Sequence, residues 1–113
     1  MDNELVIVVN GKELRFKLKS SAIVLLEKVY GKNIFEIFQD LSFTSIQRIF
    51  WEAMVDKSEY DMDTMMDALL ESKSLIELGN EELQQLAVKS GILKASDLEP
   101  EQKEESLEEI KND

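Results

Sequence analysis

The sequence predicts an α+β fold, mainly α: an N-terminal β-hairpin, about five short helices and an acidic C-terminal tail. Three observations predict it. Two strand-like runs flank an Asn-Gly pair near the N-terminus, apolar residues then recur at helical spacing between capping residues, and the composition turns acidic after residue 94. A chain of 113 residues with 43% hydrophobic content suits one globular domain, residues 1–94, that folds without staples.

The hairpin is expected over residues 4–19. Leu5-Val6-Ile7-Val8-Val9 and Glu13-Leu14-Arg15-Phe16-Lys17-Leu18 flank Asn10-Gly11, a pair suited to the positive φ values of a type I′ turn. A two-residue loop there places Ile7 opposite Leu14, Leu5 opposite Phe16 and Glu4 opposite Lys17, leaving one face apolar. Because a lone hairpin is marginal in water, that face must pack on helices or on another copy, with an edge left for association.

The helical body is expected over 20–94. Ser20-Ser21 caps a helix over 22–30 with Ala22, Leu25, Leu26, Val29 and Tyr30 on one face, ended by Gly31. Asn33 and Glu36 form a capping box for a short helix that groups Ile34, Ile37, Phe38 and Leu41, with Phe35 at the edge of that face. Thr44, with Gln47, starts a third helix whose buried stripe is Ile46, Ile49, Phe50, Ala53 and Met54, with Trp51 off the stripe. Asp61 or Asp63 caps a fourth, aligning Met62, Met65, Met66, Leu69 and Leu70. Leu75 to Leu78 forms one short turn, and Leu83, Leu86 and Ala87 mark a fifth helix ending near Gly91.

Residues 95–113 hold eight acids, two bases and the sole proline, Pro100. They read as a flexible acidic tail; the alternative is a helix from Glu101 to Lys111 with Leu107 and Ile110 on one side.

Composition excludes most catalytic apparatus. With neither cysteine nor histidine, thiolate chemistry, Cys/His zinc sites, Ser-His-Asp triads and imidazole catalysis are absent. No glycine-rich phosphate loop occurs among four glycines. Asp56 to Asp67 spans the length of an EF-hand loop, but Asp61 stands where glycine is needed and Tyr60 where an oxygen ligand is needed. No catalytic residue, cofactor or metal is therefore assigned, and the chain is read as a non-enzyme.

Net charge is −11, divided as +1 over residues 1–50 and −12 over 51–113, which disfavours nucleic-acid binding. No apolar run spans a bilayer, and Met1-Asp2-Asn3-Glu4 lacks the basic start of a signal peptide, so a cytoplasmic location is expected.

What remains is protein binding. Phe35 and Trp51 lie beside their helices' apolar stripes, where they serve either as interface anchors or as a second packing layer. Met54, Met62, Met65 and Met66 are either core or an adaptable partner surface. The candidate contact residues are Phe35, Phe38, Phe43, Trp51, Met54 and Met66.

The run Gly31-Lys32-Asn33-Ile34-Phe35-Glu36-Ile37-Phe38, then Leu41-Ser42-Phe43 and Ile49-Phe50-Trp51-Glu52-Ala53-Met54, resembles the tail assembly chaperones of long-tailed phages and prophages of Gram-positive bacteria. Gly11-Lys12 to Phe16 matches the turn of their N-terminal hairpin, so the resemblance covers roughly residues 4–90. It implies binding to the tape measure protein, which must stay soluble while tail tube subunits polymerise around it, and absence from the finished virion. It also implies a longer frameshifted form that contacts the tail tube protein, with 95–113 as the tether, and a homo-oligomer. The alternatives are an adaptor or structural subunit of another bacterial or phage complex, and an acidic DNA-mimic inhibitor.

Overall fold

The hairpin forms in the register its turn dictates. In a computed structural model, which describes residues 3–94, β1 (Leu5–Val9) pairs antiparallel with β2 (Lys12–Phe16), joining Leu5 to Phe16 and Ile7 to Leu14. Asn10 and Gly11 both take positive φ, 52° and 79°, as a type I′ turn requires. Leu5, Ile7, Val9, Leu14 and Phe16 are buried on one face, while Val6 and Val8 lie on the other. The readings of the acidic tail, flexible or helical, lie outside the described residues.

Five helical segments follow among the described residues: α1 (Ser20–Tyr30), α2 (Ile34–Gln39), α3 (Phe43–Ala53), α4 (Met62–Ser72) and a run from residue 75 to 89. That run consists of α5 (Leu75–Glu77), a π-helical turn over Leu78–Glu82 and α6 (Leu83–Lys89). The short turn expected over Leu75 to Leu78 thus continues without a break into the last helix. The hairpin packs through β1 against α4 and α6, and α1 packs against α2 and α3. Phe16 and Phe50, both fully buried, meet edge to face at 5.3 Å where sheet and helices join.

Most caps follow the sequence. Gly31 ends α1 in the left-handed region, Asn33 and Glu36 form the capping box of α2, and Asp61 rather than Asp63 caps α4. Two differ. Ser20 and Ser21 are the first residues of α1 rather than its cap, with Lys19 at the N-cap position and no side-chain cap. Ser42 caps α3 in place of Thr44, accepting the Ser45 N–H at 3.3 Å.

The buried face of α1 is also rotated from the expected one. Ile23, Leu26 and Tyr30 turn toward the core with Ala22, whereas Leu25 and Val29 are 40% and 49% exposed. Both stripes are compatible with a 3.6-residue period, and packing on α2 and α3 selects between them.

The hairpin edges are less open than expected. After α3 the chain extends, so that Phe16 bridges Met54, Lys17 N–H donates to Ala53 O at 2.8 Å and Val55 N–H donates to Arg15 O at 2.9 Å. These bonds cover the free edge of β2. On β1, the Ser72 hydroxyl donates to Val8 O at 3.0 Å. The strand edge is thereby blunted by its own chain.

Candidate partner-binding groove

Between the end of α2, the start of α3 and the π-turn runs an apolar groove made of two adjoining hollows. One, of about 230 Å³, is lined in part by Phe38, Leu41, Gly79, Leu83 and Leu93. The other, of about 120 Å³, is lined in part by Leu41, Ile46, Leu75, Ile76 and Gly79. They share Leu41, Gly79 and Asn80, and the polar lining consists of Gln39, Asn80 and Gln84 alone. In a chain with 33% charged residues, no charged side chain among the described residues lines either hollow.

Local structure holds the groove in shape. Asp40 follows α2 and accepts hydrogen bonds from Ser42 N–H at 3.2 Å and from the Ser45 hydroxyl at 3.0 Å. Those bonds favour its ionised form, from the Ser42 backbone first and the Ser45 hydroxyl second, and hold its pKa below the usual 3.8. The braced turn presents Leu41, which is 48% exposed. Across from it, Ser74 and Glu77 form a capping box at the start of α5, fixing the turn that carries Ile76, which is 73% exposed.

Gly79 forms the floor. A Cβ added there would stand 3.1 Å from Ile46 Cδ1 and 3.5 Å from Leu41 Cδ2, so a side chain at this position would press on the Ile46 methyl, which would have to give by a few tenths of an ångström. The π geometry inserts an extra residue into this stretch of helix, and such insertions often accompany functional sites.

Of the residues singled out from sequence, Phe38 lines the groove, half-buried, while Phe35 and Phe43 are 54% and 43% exposed and line neither hollow. Trp51 is partly buried against the core, with the Lys57 ammonium 5.4 Å from its ring centre, which matches its reading as a second packing layer. Met54 and Met66 correct the expectation: they are 4% and 1% exposed, core side chains out of a partner's reach. Met66 sits on the inner face of α4, and Met54 is drawn in by its bridge to Phe16. Leu41 and Ile76 supply the accessible apolar surface instead. Leu41 was legible as part of the α2 stripe, but nothing local to Ile76 tells an exposed isoleucine from a core one.

The acids considered for calcium serve the backbone. Asp56 accepts the Ser58 N–H at 3.0 Å and Asp61 the Thr64 N–H at 2.8 Å. The Ser58 backbone and then its hydroxyl, and the Thr64 backbone and then its hydroxyl, lower the two pKa values from 3.8. A further cleft beside β2 is lined by Lys12, Glu13, Arg15 and Glu59, whose charges pair among themselves as Lys12–Glu59 and Arg15–Glu13. It offers a partner little that is unsatisfied.

No family model, curated protein or solved structure matches the chain. No helix among the described residues is long and apolar enough to cross a membrane.

Proposed function

We propose that this chain is a binding protein without catalytic activity, a tail assembly chaperone whose groove takes the apolar face of a helix from a tape measure protein. The observation that carries the proposal is the groove from Phe38 through Leu41 to Ile76, whose lining among the described residues is uncharged. Helical partners dock through residues spaced three and four apart into grooves of this type, and burial of apolar surface drives the contact. The motif resemblance over Gly31 to Met54 supplies the partner's identity, since a tape measure protein is a long helical chain that needs its apolar stripes covered before the tube closes on it. The acidic balance of the chain keeps such an assembly dispersed.

Co-expression with the tape measure protein encoded nearby tests the proposal. A tape measure protein that becomes soluble and co-purifies with the chain supports it. One that stays insoluble beside a folded, abundant chain refutes it and moves the assignment to an adaptor of another complex.

A further inference from the structure

The polar part of the groove is of one kind. Gln39, Asn80 and Gln84 line the larger hollow, and of these Asn80 alone reaches the smaller one. All three are exposed, and their side-chain amides make no hydrogen bond to another described residue. Gln85 makes none either, but it lines neither hollow. The amides of Asn10 and Gln47, by contrast, are engaged inside the fold, on Glu71 at 2.7 Å and on Met62 O at 3.1 Å.

Several charges close by in sequence are held by other groups. Asp40, between Gln39 and Leu41, accepts from Ser42 and Ser45. Glu77, beside Ile76, accepts the Ser74 N–H at 2.8 Å, and Glu82 pairs with Lys73 at 3.3 Å. Glu81 and Lys94, which adjoin Asn80 and Leu93 in the chain, line neither hollow. A charged partner residue laid over this lining therefore meets no counter-charge in it and loses hydration without gaining an ion pair. A side-chain amide offers both donors and an acceptor, so it can satisfy a hydroxyl or a second amide whichever way that group points.

With the groove taken as the site of the helical partner, a reading on which this inference rests, we propose that it selects helices whose apolar stripe is flanked by uncharged hydrogen-bonding residues: serine, threonine, asparagine or glutamine. Gln39, Asn80 and Gln84 determine that specificity. The amides gather at the larger hollow, while Leu75 and Ile76 bound the smaller one, so the neutral polar flank of the partner belongs at the Phe38 end and its purely apolar stretch at the Ile76 end. That asymmetry gives the bound helix a direction. Helices with the same stripe but lysine or glutamate flanks are rejected by the missing counter-charge, which is selectivity by exclusion.

Three helical peptides test this against the full chain. Each carries leucines at i, i+3, i+4 and i+7, flanked by glutamine and serine in the first, by lysine in the second and by glutamate in the third. Fluorescence anisotropy at about 0.15 M salt should show the neutral peptide tightest by about tenfold, as two or three hydrogen bonds at the weak end of their range would give. Its Kd should move less than about twofold as salt is raised to about 0.5 M. Gln84→Glu, an exposed change on α6, should shift the preference to the lysine-flanked peptide, whereas Gln85→Glu adds the same charge outside the groove and should not. Either charged peptide binding the native chain tightest overturns the proposal, as does a preference that Gln84→Glu leaves unaltered or that Gln85→Glu moves as far. Equal affinities with methyl shifts at Leu41 and Ile76 overturn the selectivity and leave the groove standing, while failure of all three peptides to bind overturns both.

Discussion

Replacing Ile76 with alanine should separate stability from binding more cleanly than any other change in the groove. Ile76 is 73% exposed, so roughly a quarter of its surface is buried in the free protein. Full burial of an isoleucine contributes about 1.5–3 kcal/mol, which puts the loss of existing packing at about 0.5 kcal/mol. Alanine's better helix propensity at this position in α5 returns a few tenths of that. The folded chain should therefore keep its urea midpoint almost unchanged. In the complex the remaining three quarters is covered, so truncation should cost about 1–2 kcal/mol, or roughly 5- to 30-fold in Kd. Fluorescence anisotropy with a labelled helical fragment of the tape measure protein reads the second quantity, and urea unfolding reads the first. An affinity unchanged within twofold would refute the placement of the partner in this groove, and a large drop in urea midpoint would refute the energetic reasoning about Ile76.

Three further outcomes are expected. Trp51→Ala removes a partly buried ring that packs on the core and lies under Lys57, so urea unfolding should register a loss of about 2 kcal/mol while affinity for the same fragment stays near that of the native chain. Asn33→Ala breaks the capping box of α2 and should cost about 1 kcal/mol, seen as a lower urea midpoint with an unchanged slope. Asp61 has a folded-state pKa below its ordinary 3.8, so its stabilising contribution is fully present above that value and disappears as the pH falls through the folded value. Asp61→Asn keeps a cap but cannot titrate, so its urea midpoint should fall less steeply than that of the native chain below about pH 4, and parallel acid limbs would contradict this.

The sequence shows most plainly those features fixed by a few neighbouring residues. Asn10-Gly11 sets the turn, the register and the inner face of the hairpin together, since a slip by one residue would expose Leu5, Ile7, Leu14 and Phe16. Gly31, Asn33 with Glu36, and Asp61 act within a single helical turn and are legible for the same reason. The stripe Ile46, Ile49, Phe50, Ala53 and Met54 is likewise buried as its spacing implies. What eludes local reading depends on distant partners. The rotation of α1 that exposes Leu25 and Val29 is set by its packing on α2 and α3. The groove is similarly composite: Phe38 and Leu41 were visible as an apolar edge of α2, but Ile76 and Gly79 enter it only because the π-turn brings them against α3.

The most direct measurement of the groove's role is a methyl NMR titration of the full chain, enriched at Ile, Leu and Met methyls, with the helical fragment of the tape measure protein. Binding in the groove predicts shifts concentrated at Leu41, Ile46, Ile76 and Leu83, with the methyls of Met65 and Met66 in the core unmoved. Shifts concentrated at Leu25, or a spectrum that does not respond to the fragment, would contradict it.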